Sequence, residues 1–303
     1  VKHDEFHRYR RDEGRHESGC IADHLGLWCV EPKRFEAACA AFKAGYVPIV
    51  AARKAEKDSE EPPPFQLMGG GIARVPITGY MSKRSKFGAS TVDARYGLRA
   101  AVEHKDVKAI MLDIDSPGGT AAGTQELADE VRAANERKPV FAHIEDLGAS
   151  AAYWVASQAR RITANRTAEV GSIGTFAAVW DYSGALKKEG IKVHVISTGP
   201  LKGAFTPGSK ITPEQLAALQ TEVDDLNAEF LNAVAAGRAA RPGFKDAASV
   251  ATGGVWIAEK AKGLGLIDAV QSADATLEEL AMEAAAGKPS AAVARAKLRL
   301  RNL

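Results

Sequence analysis

Ser150 stands in 146-DLGASAAYWVASQ-158, a lone hydroxyl among glycine and alanines, just ahead of two aromatic residues. A serine there either lets a helix pack closely or is a nucleophile held at a helix entrance, where free amides and the helix dipole favour developing negative charge. Upstream, 115-DSPGG-119 follows an apolar run. Adjacent glycines let the backbone turn sharply and direct amide hydrogens into a cleft. The amides of Gly119 and Ala151 together would form an oxyanion hole, the donor pair that acyl transfer needs where a carbonyl oxygen gains charge.

A serine hydroxyl needs a base to take its proton. His143 and His194 each fall inside a predicted strand, which suits a core or sheet position better than a Ser-His-Asp arrangement, although His194 leaves that arrangement open. A lysine serves instead if burial leaves it neutral. Lys202, in 199-GPLKGAFTPGSK-210, lies among small and apolar residues, whereas Lys187 and Lys188 belong to a solvent-facing helix. Residue types alone do not separate Lys202 from Lys192, Lys210, Lys245, Lys260 or Lys262.

The elements that must position these groups alternate between strand and helix. Strands are predicted at 72–81, 107–115, 139–145, 161–165 and 191–198, and helices at 91–107, 120–136, 149–159, 182–190 and 212–238. Thr212 caps the last of these, with Pro213 at its first position. A helix and a short strand over 254–270 close the series, and 170–181 reads as a small-residue loop. Such alternation favours a mainly parallel sheet covered by helices. The predicted organisation is a tail and small helical segment over 1–52, a charged Pro/Gly-rich linker over 53–70, a core domain over 71–270, and a helical or mobile C-terminal tail over 271–303, basic at its end.

Composition narrows the function classes. The 303 residues are 46% apolar, and 40 Lys and Arg nearly balance 38 Asp and Glu, so no general electrostatic case exists for a nucleic-acid binder. Cys20, Cys29 and Cys39 form no disulfide framework, which points to a reducing compartment. With His16 and His24 their spacing is loose for zinc, and buried thiols are the better reading; no metal or cofactor is expected. No apolar run approaches the roughly 18–20 residues that span a bilayer, and the polar opening is no signal peptide, so a cytoplasmic protein is expected.

Four segments in order, LDIDSPGG, GASAAYWVAS, ANRTAEVGSIGTF and ISTGPLKGAFTPG, resemble the signal peptide peptidase A family of serine peptidases, the S49 group. The resemblance covers about residues 71–270. It implies an α/β fold of the Clp protease and crotonase type, a spiral of mainly parallel strands and helices, and a Ser-Lys dyad. Ser150 matches the nucleophile and Lys202 the general base. Gly119 and Ala151 match the oxyanion amides, and Ser172 a hydroxyl that orients the lysine. Ala151 and Ala152 stand where the family usually has glycines, which narrows the adjacent space. In related bacterial members the serine and lysine come from neighbouring protomers, so a homo-oligomer is expected.

The N-terminal helical segment and proline-rich linker are closer in character to phage head maturation proteases of the minor capsid protein C type. This implies polypeptide substrates, with scaffold, capsid or portal proteins as partners, in the host cytoplasm or a prohead. The alternatives are a soluble bacterial S49 peptidase, a noncatalytic assembly protein of the same fold, and an acyl-CoA enzyme of the crotonase type.

Overall fold

The computed structural model of the protein describes residues 28–30, 65–85 and 88–286. The predicted tail over 1–19, the helix within 21–50, most of the linker and the basic end over 288–303 lie outside the described residues, as do Cys20, Cys39, His16 and His24.

The strands in chain order are β1 (Trp28–Val30), β2 (Gln66–Met68), β3 (Ile72–Thr78), β4 (Met81–Ser82), β5 (Ala89–Ser90), β6 (Ala109–Ser116), β7 (Gly118–Thr120), β8 (Val140–Ala149), β9 (Arg161–Ala164), β10 (Glu169–Gly171), β11 (Val255–Ile257) and β12 (Ala269–Val270). The helices are α1 (Thr91–Glu103), α2 (Thr124–Arg137), α3 (Ala151–Ala156), α4 (Ser183–Lys188), α5 (Pro213–Arg238), α6 (Ala258–Gly263) and α7 (Ala273–Ala285).

The larger sheet runs β2-β3-β6-β8-β10-β11, with β9 also on β8 and β12 on β9. Its centre is parallel throughout, from β3 through β6 and β8 to β9 and β10, and only β2 and β11 run antiparallel. This is the mixed α/β architecture that strand-helix alternation predicts. Seven of the eight residues of β6 are buried, because its neighbours β3 and β8 cover both edges and helices cover its faces. On one face α1 and α2 present Leu98, Ala101, Leu127, Val131 and Ala134 to the core. Ser90 starts α1 by accepting from the Asp93 amide at 3.2 Å.

A smaller sheet, in the order β1-β7-β4-β5, lies at the chain's glycine turn. It exists because Gly118 takes φ 89° and Gly119 has no side chain; a Cβ on Gly119 would stand 1.8 Å from the Met81 carbonyl oxygen.

The buried residues of α5 all lie in its second half, Phe230, Val234 and Arg238. Its start carries the expected Thr212 cap in the stronger form of a capping box with Gln215. Phe230 stacks on Trp154 of α3 with ring centroids 4.7 Å apart. Arg238 donates to both carboxylate oxygens of Asp268 at 3.0 Å, and its Nε to the Gly265 carbonyl.

The structure departs from the sequence reading in several places, among them β1 and β2, which stand where a helical segment and a linker are expected. The expected strand 191–198 forms no ladder: Ile191, Val195 and Ile196 are 51%, 40% and 94% exposed. A strand needs an edge to pair with, and among the described residues none pairs with that segment. The small-residue loop contains the short strand β10. Strand β8 extends to Ala149 and so runs directly to Ser150. Packing also continues past residue 270, because Thr276 and Leu280 of α7 are buried and Leu280 joins Ile72, Ala109, Met111 and Phe141.

Candidate active site

Ser150 lies between the last residue of β8 and the first of α3, a strand-to-helix junction with no intervening loop. It adopts φ 53°, ψ −120°, a region that side chains other than glycine avoid, at a cost of about 1–3 kcal/mol. Two hydrogen bonds hold it there: its amide donates to the Gly171 carbonyl at 2.7 Å, and its carbonyl accepts from the Trp154 amide at 2.8 Å. The residue is wholly buried, yet among the described residues its Oγ has no hydrogen-bond partner. An unsatisfied buried hydroxyl on a strained backbone costs stability twice over, and the two together make Ser150 a candidate functional residue.

Helix α3 is short and all six of its residues are buried, so its direction is fixed by packing. Tyr153 donates to the Leu266 carbonyl at 2.8 Å, and burial pushes its phenol well above the usual range. Ala151 is the first helical residue, whose amide has no acceptor within the helix. The helix packs against β7, the strand that carries Gly119. Ser116 fixes that turn by donating to the Gly79 carbonyl at 2.6 Å and accepting from the Gly118 amide at 3.2 Å.

Ser172 follows β10, which runs parallel to the end of β8 with Gly171 opposite Ala149. Ser150 and Ser172 therefore leave neighbouring strand ends together. Ser172 is also buried, with φ 50°, and its amide donates to the Gly254 carbonyl at 2.6 Å. Residue types did not single out Gly171, whose carbonyl anchors Ser150. Its φ is 125°, and a Cβ there would meet the Trp256 ring at 2.7 Å. The only sequence signal for it was the glycine of VGSIG.

Lys202 is placed apart from this cluster. It sits in an exposed turn, its amide donating to the Gly199 carbonyl at 3.1 Å, and it makes no hydrogen bond to Ser150 Oγ. The chain thus brings Ser150, Ala151, Gly119 and Ser172 to one end of the sheet and leaves Lys202 on the surface. His194 is exposed and likewise makes no bond to Ser150. His143 is buried on the α7 face of β8, with Nδ1 2.9 Å from Thr163 Oγ1 and 3.3 Å from Thr276 Oγ1. Burial lowers its pKa, as suits a neutral core imidazole. Among the described residues no cluster of His, Cys, Asp or Glu is placed to hold a metal ion.

Residues 132–287, just over half of the chain, match the family described as Peptidase family S49. That span holds Ser150, Ser172 and Lys202 and begins after Gly119. The chain is 34% identical over 200 residues to a putative protease of Methanocaldococcus jannaschii, covering 65% of this chain and 64% of that protein. It is 33% identical over 180 residues to the capsid assembly protease C of Escherichia phage lambda, covering 57% and 40%. The chain therefore spans less than two thirds of the length of either relative. Among solved structures, a putative enoyl-CoA hydratase/isomerase from Acinetobacter baumannii overlaps 78% of the chain and 86% of its own, with a TM-score of 0.43 and 15% identity.

Proposed function

The chain belongs to peptidase family S49, and from that premise we propose that it is a serine endopeptidase whose nucleophile is Ser150. The observation that carries the proposal is the buried, unpartnered Oγ of Ser150 on a strained strand-to-helix junction. In this reading Ser150 Oγ attacks a peptide carbonyl, and the amides of Ala151 and Gly119 receive the oxyanion. Neutral Lys202 takes the hydroxyl proton and passes it to the leaving amine; water, deprotonated by the same lysine, then releases the acyl group. Ser172 orients the lysine.

Because Lys202 is exposed within its own chain, we assign it to the Ser150 of a second copy. The outward-facing apolar residues of the same segment, Trp180, Tyr182, Ile191, Ile196 and Leu201, support this assignment.

The biological setting we propose is processing of capsid or scaffold polypeptides, on the likeness to the lambda protease. A cellular peptidase is the second reading, favoured by the larger share of the archaeal protein that the chain spans. Among the described residues no helix is long and apolar enough to cross a membrane, which both readings accommodate.

The test is hydrolysis of unfolded casein and of co-expressed capsid and scaffold proteins by the wild type, Ser150→Ala and Lys202→Ala, with intact masses of every chain. Both variants should be inactive with their assembly state unchanged. Mixing the two should restore activity, because a shared site forms between the intact Ser150 of one and the intact Lys202 of the other. Hydrolysis that persists in Ser150→Ala would overturn the nucleophile. Inactive variants that fail to complement would place both groups in one chain.

A further inference from the structure

Strand β1 is three residues long and far in sequence from the described residues it pairs with, yet both of its edges are paired. On one side it runs antiparallel to β7, with Trp28 opposite Thr120, Cys29 opposite Gly119 and Val30 opposite Gly118. On the other, the Trp28 amide donates to the Phe176 carbonyl at 2.9 Å, and the Phe176 amide donates to the Trp28 carbonyl at 3.1 Å. Successive residues of a strand point their N–H and C=O to opposite edges. With Trp28 bonded towards Phe176, Cys29 directs its carbonyl and amide to Gly119.

Each wall of this slot belongs to the candidate site. Gly119 is the expected oxyanion donor, on the strand against which α3 packs. Phe176 lies four residues beyond Ser172. The segment between them is therefore extended, with a main-chain carbonyl presented to Gly119 as an extended polypeptide on that edge would present one. Its alternate side chains are anchored: Trp28 and Val30 are 5% and 2% exposed and pack with Tyr80, Phe176 and Ala178. Main-chain pairing for affinity and pockets for alternate side chains are the two components of strand-addition peptide recognition.

We propose that this slot is the peptide-binding groove and that Trp28–Val30 is its built-in occupant, a segment of the chain's own N-terminal part lying in the register of a substrate. The proposal rests on the peptidase reading for what the groove serves. The groove selects extended polypeptide with large apolar side chains two residues apart. An external substrate enters only after the internal strand leaves, so the chain limits its own activity until displaced.

The experiment separates the groove from the chemistry. In full-length Ser150→Ala protein, amide exchange at Gly119 and Phe176 should be slow. With Trp28→Ala and Val30→Ala added it should quicken by about tenfold or more, because the local opening that exposes these amides becomes easier. Cys29→Pro, which removes one ladder donor without touching the apolar pocket, should do the same. Adding a synthetic GLWCVE peptide in trans should restore protection, and unrelated polar peptide should not. In the Ser150 background, the same variants should hydrolyse casein with a lower KM, and GLWCVE should inhibit them competitively. Exchange that stays the same in both variants while the fold persists overturns the proposal. Quickened exchange without hydrolysis by any form upholds the groove and rejects the peptidase reading. A cut between Cys29 and Val30 in wild type, absent from Ser150→Ala, would support the substrate register of the occupant.

Discussion

Ser150 carries two costs in one residue, a positive φ and a buried hydroxyl without a partner. Replacing it with glycine relieves both, since glycine has no Cβ to clash and no Oγ to leave unsatisfied. Ser150→Gly should therefore raise the unfolding free energy by about 1–3 kcal/mol in urea titration while abolishing hydrolysis. A loss of stability instead would mean that Oγ has a structural partner. Gly119→Ala should act in the opposite sense on folding, because its methyl group would strike the Met81 backbone, and β7 would have to shift. His143 adds a pH dependence of its own. Burial lowers its folded pKa below the unfolded value near 6.5, so the unfolded chain binds the proton first as pH falls. Stability should be full above about pH 6.5 and decline below it, with the slope reduced in His143→Gln, as read from urea midpoints at several pH values.

At the scale of elements, the site depends on α3 being clamped from behind by α5 and by the loop before β12. Arg238 and Asp268 form the centre of that clamp. Burial alone would raise the Asp268 pKa, but the Arg238 guanidinium and the Ile162 amide hold it below the usual carboxylate range. Removing Asp268 leaves the buried Arg238 without a carboxylate, and Asp268→Asn should cost about 3–5 kcal/mol by denaturant unfolding, whereas Arg238→Met should cost less because Arg241 stays 3.6 Å from Asp268. The paired replacement Arg238→Met with Asp268→Leu should recover much of the loss. Most elements of this framework were legible in the sequence, because long apolar periodicity and capping at Thr212 are local signals. The Ser150 junction and the Gly119 turn were legible too, since glycine pairs and a lone serine after a strand are compact motifs. Strand β10 was missed because three residues give no period. Strand β1 was missed because its pairing partners lie 90 and 150 residues away, and nothing local in LGLWCV marks a ladder. The tail of α7 was read as peripheral because its buried face is formed only by Thr276 and Leu280 against the far side of the sheet.

At the scale of the whole molecule, the protein is unevenly finished. The sheet end that holds Ser150 is densely packed, whereas residues 177–211 leave Trp180, Tyr182, Ile191, Ile196 and Leu201 facing outward, with α4 the only helix among them. An alternating apolar segment with no ladder is a candidate for pairing with a partner, and exposed apolar residues gathered in one segment mark an interaction surface when they form a patch. The same segment carries Lys202, so the surface that would be buried on association is also the surface that lacks its catalytic counterpart. The proposed shared site joins two observations that are separate among the described residues of one chain: a buried Ser150 hydroxyl without a partner and an exposed Lys202. A charge at the most exposed apolar position should break both. Ile196→Asp is 94% exposed in the single chain and touches no core residue, so the fold and its unfolding midpoint should be unchanged within about 0.5 kcal/mol. Light scattering should nevertheless show a smaller assembly, and casein hydrolysis should fall in parallel with it. Ile196→Asp that keeps full activity and full assembly would show that this face is not where Lys202 meets Ser150, and the base would then have to be sought within the chain.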